Sequence, residues 1–160
     1  MMFDLHNHIL PGIDDGSRDM AESLQLLRLA AEQGISHMLA TPHINPGRYD
    51  NNAAGINDAL ARLRQAASEQ HIDVNVAAAA EVRISSEMLP LVEQGKLPFI
   101  GQYQGRNVVL LELPHSHIPP GSDKLLAWLG RKNISVMLAH PERNRDLLAA
   151  PEQIKPFIKA

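Results

Sequence analysis

The stretch Met2-Phe3-Asp4-Leu5-His6-Asn7-His8-Ile9-Leu10-Pro11-Gly12-Ile13-Asp14-Asp15-Gly16 runs from a short strand pattern into a turn-rich loop. Residues i and i+2 of an extended strand point to the same side, so His6 and His8 present two imidazoles to one point. Imidazole suits several first-row divalent ions, and an added carboxylate such as Asp15 shifts the preference toward harder ones. A lone His-x-His has a plainer reading as two polar residues at a strand-to-loop junction. Whether the pair closes one strand of a parallel sheet decides both fold and chemistry. The positions that decide it are His43, Glu81, Glu112 and His140, each at the end of a predicted strand.

Working outward, short apolar strands are predicted at residues 2–5, 37–40, 74–80, 108–113 and 134–139. The runs Val108-Val109-Leu110-Leu111 and Val136-Met137-Leu138-Ala139 lack alternation, which is the mark of parallel strands buried on both faces. Helices fall between them. Asp19 and Glu22 make a capping-box pattern, Leu24, Leu27 and Ala31 an apolar stripe, and Gly34 a stop. Further helices are predicted over 53–70, with Leu60, Leu63 and Ala67 on one face, over 87–94 before Gly95, and over 123–132 with Ser122 as cap. A last one begins near Pro151, since proline suits the first helical position. Strands alternating with helices indicate an α/β protein with a parallel sheet or barrel. No repeat or linker interrupts residues 1–160, which read as a single domain.

Composition narrows the function. The 160 residues are 44% hydrophobic and 21% charged, with net charge −3, so no basic footprint for nucleic acid or an acidic membrane is expected. No apolar run approaches the ~18 residues of a membrane span, and no signal-peptide pattern opens the chain. A cytoplasmic protein without membrane insertion is the expectation. With no cysteine, this chain offers neither a thiolate metal site nor a thiol nucleophile.

The predicted strand ends then fall into a pattern. His6 and His8 close the first, His43 the second, Glu81 the third, Glu112 the fourth, and His140-Pro141-Glu142-Arg143 the fifth. In parallel α/β folds, chemistry gathers where the carboxyl ends of the strands and their loops converge. Four imidazoles and at least three carboxylates exceed the needs of one tetrahedral ion. Two or three ions are expected, with Glu81 suited to bridge a pair. Paired metals clamp the attacking and leaving oxygens of a hydrolytic displacement.

These residues carry a resemblance. The run from Asp4 to Gly16 resembles the opening of the polymerase-and-histidinol-phosphatase (PHP) superfamily. More narrowly, it is similar to the manganese-dependent protein tyrosine phosphatases of capsular and exopolysaccharide operons, the CpsB/YwqE type. Thr41-Pro42-His43, Ala80-Glu81, Leu111-Glu112 and Ala139-His140-Pro141-Glu142-Arg143 follow in that family's order. The resemblance implies a distorted (β/α)7 barrel, a trinuclear metal centre and hydrolysis of phosphotyrosine on a partner kinase. It assigns metal binding to His6, His8, Asp15, His43, Glu81, Glu112 and His140, and phosphate binding to Arg143. The family continues for roughly half this length again, with a late Asp-x-His motif. Residues 1–160 therefore correspond to about five βα units of an incomplete barrel, lacking its C-terminal third, with self-association through the open sheet as a consequence. Two other readings stay open: another PHP phosphoesterase of the histidinol-phosphate kind, or an inactive remnant that binds only metal or a partner.

Several residues lie beside this set. His115 and His117 form a second His-x-His in a proline-rich loop, read as a loop over the site more than as ligands. Arg145 follows Arg143, and Arg48 and Tyr49 lie in the loop after His43, where they could meet substrate. His37 and His71 read as structural or surface residues. Asp14 adjoins Asp15, and the resemblance selects Asp15 as the ligand.

Overall fold

The computed structural model describes residues 2–158. The chain divides into two compact units, Met1–Ala80 and Glu81–Ala160.

The first unit runs β1 (Met2–Asn7), α1 (Met20–Glu32), β2 (Ile35–Ala40), β3 (His43–Ile44), α2 (Ala53–Glu69) and β4 (Asn75–Ala78). Its sheet has the order β1-β2-β4 with every pairing parallel. Asn7 lies opposite Ala40, and Ala40 opposite Ala78, so the three strands end level. That register delivers His8 and Thr41 to one edge of the sheet. Helix α1 starts as its capping box predicts: the Asp19 carboxylate accepts the Glu22 N–H at 2.9 Å. The Glu22 carboxylate turns back one residue further, accepting the Arg18 N–H at 2.7 Å. Its buried stripe is Ser23, Leu24, Leu27 and Ala30, with Ala31 only partly buried. Helix α2 is capped by Asn52 and buries Ile56, Ala59, Leu60, Leu63 and Ala67. On β1, Phe3 and Leu5 are more than half exposed.

The second unit runs β5 (Glu81–Arg83), α3 (Met88–Glu93), β6 (Gly101–Tyr103), β7 (Arg106–Glu112), α4 (Ser122–Arg131), β8 (Ile134–Ala139), α5 (Arg145–Ala149) and α6 (Lys155–Ile158). Short 3-10 turns occupy Pro141–Arg143 and Pro151–Ile154. Strand β7 is the centre, pairing in parallel with β8 along its length and with β5 near its end. Val108, Val109, Leu110 and Leu111 are all buried, which explains their unbroken apolar run.

Several further features differ from expectation, among them His43, which opens β3 instead of closing β2. The predicted strand at 74–80 stops at Ala78, and Glu81 opens β5 instead of closing the strand before it. The intervening alanines are small and unbranched, and so hold a pleat poorly. The second unit is mixed, because β6 pairs antiparallel with β7 through a hairpin. Its two-residue turn places Gln104 and Gly105 at φ 50° and 76°, the twist that suits tight hairpins. Ser122 is not the cap of α4: Gly121 holds that position at φ 84°, while the Ser122 hydroxyl donates to the Pro119 carbonyl at 2.6 Å. In neither unit does the sheet close on itself. Among the described residues, no helix is long and apolar enough to cross a membrane.

Candidate metal centre

In the first unit the loop leaving β1 folds back on its own start. The Ser17 N–H donates to the His8 carbonyl at 3.0 Å, and the Gly12 N–H donates to the Ser17 carbonyl at 2.8 Å. Gly16 makes this return feasible, since a Cβ there would lie 2.0 Å from the His8 carbonyl oxygen. The loop thereby sets Asp14 behind His8, with Asp14 Oδ2 2.7 Å from His8 Nδ1. Asp14 also accepts the backbone N–H groups of His43 and Gly16, each at 3.0 Å. Burial, the largest influence, would raise the Asp14 carboxyl; hydrogen bonds from His8, Gly16 and His43 together outweigh it and hold it below its ordinary value. An ionised Asp14 only accepts, so the His8 Nδ1 that faces it donates, which leaves Nε2 as the ring nitrogen suited to a metal.

Donor atoms of His8, Asp15 and His43 all lie within 4.8 Å of one another. Asp15 is half exposed and stands 3.4 Å from His43 Nε2. His6 stands beside His8 with ring centroids 5.5 Å apart, as strand alternation requires. The Asn51 side chain donates to the carbonyls of Ile13 and His43, joining the two loops that carry these donors. Tyr49 stacks on the His43 ring at 5.4 Å and 8°, and the Arg48 guanidinium lies over Tyr49.

The second unit gathers its own donors. Glu81 is fully buried, and its Oε1 lies 2.6 Å from His140 Nε2. Donor atoms of Glu112, His115 and His140 lie within 4.8 Å of one another. His140 follows β8 with φ 29° and ψ 58°, a backbone conformation that costs on the order of 1–3 kcal/mol for a residue with a side chain. The strain turns the chain sharply at Pro141 while its imidazole stays against Glu81. Buried carboxylates need partners, and Glu112 has one in Arg83, whose Nη1 lies 2.9 Å from Oε2. Arg143 is exposed at the end of the 3-10 turn, its N–H donating to the His140 carbonyl at 3.0 Å.

The seven expected donors thus fall into two groups: His6, His8, Asp15 and His43 in one unit, and Glu81, Glu112 and His140 in the other. Imidazoles and carboxylates at mutual distances of this size, with one imidazole oriented by a carboxylate behind it, fit a hard or borderline divalent cation. His115 joins the second group, whereas His117 does not; its Nδ1 pairs with the neighbouring Ser116 hydroxyl at 2.8 Å. Arg83 and Asn144 were not legible as site residues. Arg83 is separated from Glu112 by 29 residues of sequence, and Asn144 resembles an ordinary helix cap.

A sequence profile described as "Capsular polysaccharide synthesis, CpsB/CapC" matches residues 2–160. The chain belongs to the CpsB/CapC family. It is 35% identical over 158 residues to the tyrosine-protein phosphatase YwqE of Bacillus subtilis, covering 99% of this chain and 61% of that protein. It is 27% identical to the tyrosine-protein phosphatase CpsB of Streptococcus pneumoniae, covering 98% of this chain and 63% of that protein. A solved chain from the crystal structures of YwqE and CpsB, described as unique metal-dependent tyrosine phosphatases, superposes with a TM-score of 0.88 at 33% identity. That superposition covers 99% of this chain and 63% of the solved one. The chain therefore spans about three fifths of the length of these relatives. The CpsB/CapC match runs through both donor groups and through the Asp14-Asp15-Gly16 turn.

Proposed function

We propose that this chain carries the metal-binding part of a phosphatase that hydrolyses phosphotyrosine on a protein. The observation that carries the proposal is the convergence of His8, Asp15 and His43 with Asp14 fixed behind His8. Membership in the CpsB/CapC family and likeness to metal-dependent tyrosine phosphatases support it. The proposed substrate is a tyrosine kinase of capsule or exopolysaccharide synthesis in the cytoplasm, and the complete architecture is the PHP-type (β/α)7 barrel.

His6, His8, Asp15 and His43 of the first unit, and Glu81, Glu112 and His140 of the second, would hold divalent ions, with manganese preferred for a donor set without thiolate. Bound there, such ions neutralise charge on phosphoryl oxygens and make water a competent nucleophile near neutral pH. Asp14 keeps the His8 ring in one tautomer and one orientation. Arg143 offers a planar guanidinium, exposed and close in sequence to His140, to pair with phosphate oxygens. Tyrosine leaves as a phenolate, so the chain need not supply a strong general acid. The exposed Phe3 and Leu5 on β1 support self-association, which solution mass would report.

The test is turnover of a phosphotyrosine peptide and of histidinol phosphate by the purified, manganese-loaded chain. Peptide turnover that is lost with EDTA and survives thiol alkylation is the expected result. Preference for histidinol phosphate would move the protein to the other phosphoesterase reading, and absence of turnover with retained metal would make it a binding remnant.

A further inference from the structure

His115 lies in the loop that follows β7, outside the ligand set assigned above. Its Nε2 stands 3.9 Å from Glu112 Oε1, and its ring centroid stands 6.2 Å from that of His140 in an edge-on arrangement. Two donors that share one ion at about 2.1 Å each are roughly 3 to 4.2 Å apart, and the Glu112–His115 separation falls within that range. Glu112 divides its two oxygens accordingly. Oε2 is taken by Arg83 at 2.9 Å, while Oε1 lies on the His115 side.

The loop that carries His115 is held in place. The Asn144 side chain donates to the Pro114 carbonyl at 2.6 Å, and the Arg145 N–H donates to the His115 carbonyl at 2.9 Å. Beyond the histidine, the Ile118 N–H donates to Asp146 Oδ2 at 2.9 Å. Asn144 is itself buried and also caps α5 through Leu147 N–H. Residues 144–146 therefore fix the backbone of 114–118, yet the His115 ring stays 60% exposed. An anchored backbone with an accessible imidazole is what a ligand requires: little entropy is lost when the ring engages an ion. A histidine kept for packing would have its ring buried.

We propose that His115 is an additional ligand to a divalent cation held by Glu112 and His140. This rests on the metal-dependent reading of the same site and adds to it one imidazole that the sequence motifs do not select. His117, two residues on, pairs with Ser116 and is the internal control.

The experiment is manganese titration by calorimetry of the purified chain and of three variants, His115→Gln, His117→Gln and His140→Gln. Pulsed EPR on the bound manganese counts directly bonded imidazole nitrogens. Thermal melts of the metal-free proteins check folding, which a 60% exposed side chain should leave unchanged. The expected result is at least about a tenfold loss of affinity at one ion in His115→Gln, with one nitrogen coupling gone, and no change in His117→Gln. If His140→Gln weakens binding while His115→Gln matches the parent, His115 is not a ligand and the metal-dependent reading survives. Should the parent bind no manganese, both fall. A shift in the metal-free melt of His115→Gln with an unchanged nitrogen count would make the residue a plain ion-pair partner of Glu112 and overturn the proposal.

Discussion

Asp14 Oδ2 lies 2.7 Å from His8 Nδ1, so the first aspartate of the Asp-Asp pair orients a candidate ligand while the second, Asp15, faces the donor group. Adjacent residues of one type thus do different work because the turn points them in different directions. Replacing Asp14 by Asn keeps its volume but removes the charge that fixes the His8 tautomer. Asp14→Asn is expected to weaken manganese binding by about ten- to a hundredfold with secondary structure retained. Calorimetric titration beside circular dichroism checks this, and an unchanged isotherm would contradict the orienting role.

Gly16 is required by space, whereas Gly34 is required by backbone angle. A Cβ on Gly16 would meet the His8 carbonyl oxygen at 2.0 Å, while one on Gly34 meets nothing within 4 Å although φ is 83°. Gly34→Ala should therefore cost about 1 kcal/mol, and Gly16→Ala at least about 2 kcal/mol together with the metal site. Chemical denaturation of both variants measures the contrast. Equal losses would mean that the loop accommodates the methyl group.

Arg83 supplies the positive charge beside Glu112, whose side chain is only 6% exposed. Removing one charged partner of a buried carboxylate is worth up to about 3–5 kcal/mol in a dry interior. Solvent reaches a quarter of the Arg83 side chain, so a discounted loss of about 2 kcal/mol is expected for Arg83→Met. Arg83→Lys should recover part of the stability, since it restores charge without the planar fork. Indifference of the melting temperature to both changes would remove Arg83 from the site.

Glu81 is fully buried against His140, whereas His117 sits in an exposed loop. On the proposed function, Glu81→Gln should lower phosphotyrosine-peptide turnover by well over tenfold, and His117→Gln by far less. The comparison is of steady-state rates at saturating manganese, with metal content measured for each variant. Similar losses in the two would mean that the donor groups have been wrongly composed.

By itself the sequence determined the α/β class and the main strands and helices, because these depend on local pattern. Val108 to Leu111 had to be buried on both faces, and His6 and His8 had to share a side of their strand. The Asp19 cap and the α2 stripe were equally legible, since each involves neighbours within four residues. The tertiary structure alone decided that Glu81 begins a strand, because a run of alanines carries no signal for where pairing stops. It also decided the pairing of Arg83 with Glu112 across 29 residues, and the anchoring of Pro114 and His115 by Asn144 and Arg145. Those contacts arise from strand register and loop closure, which bring distant residues together by geometry that no local periodicity encodes.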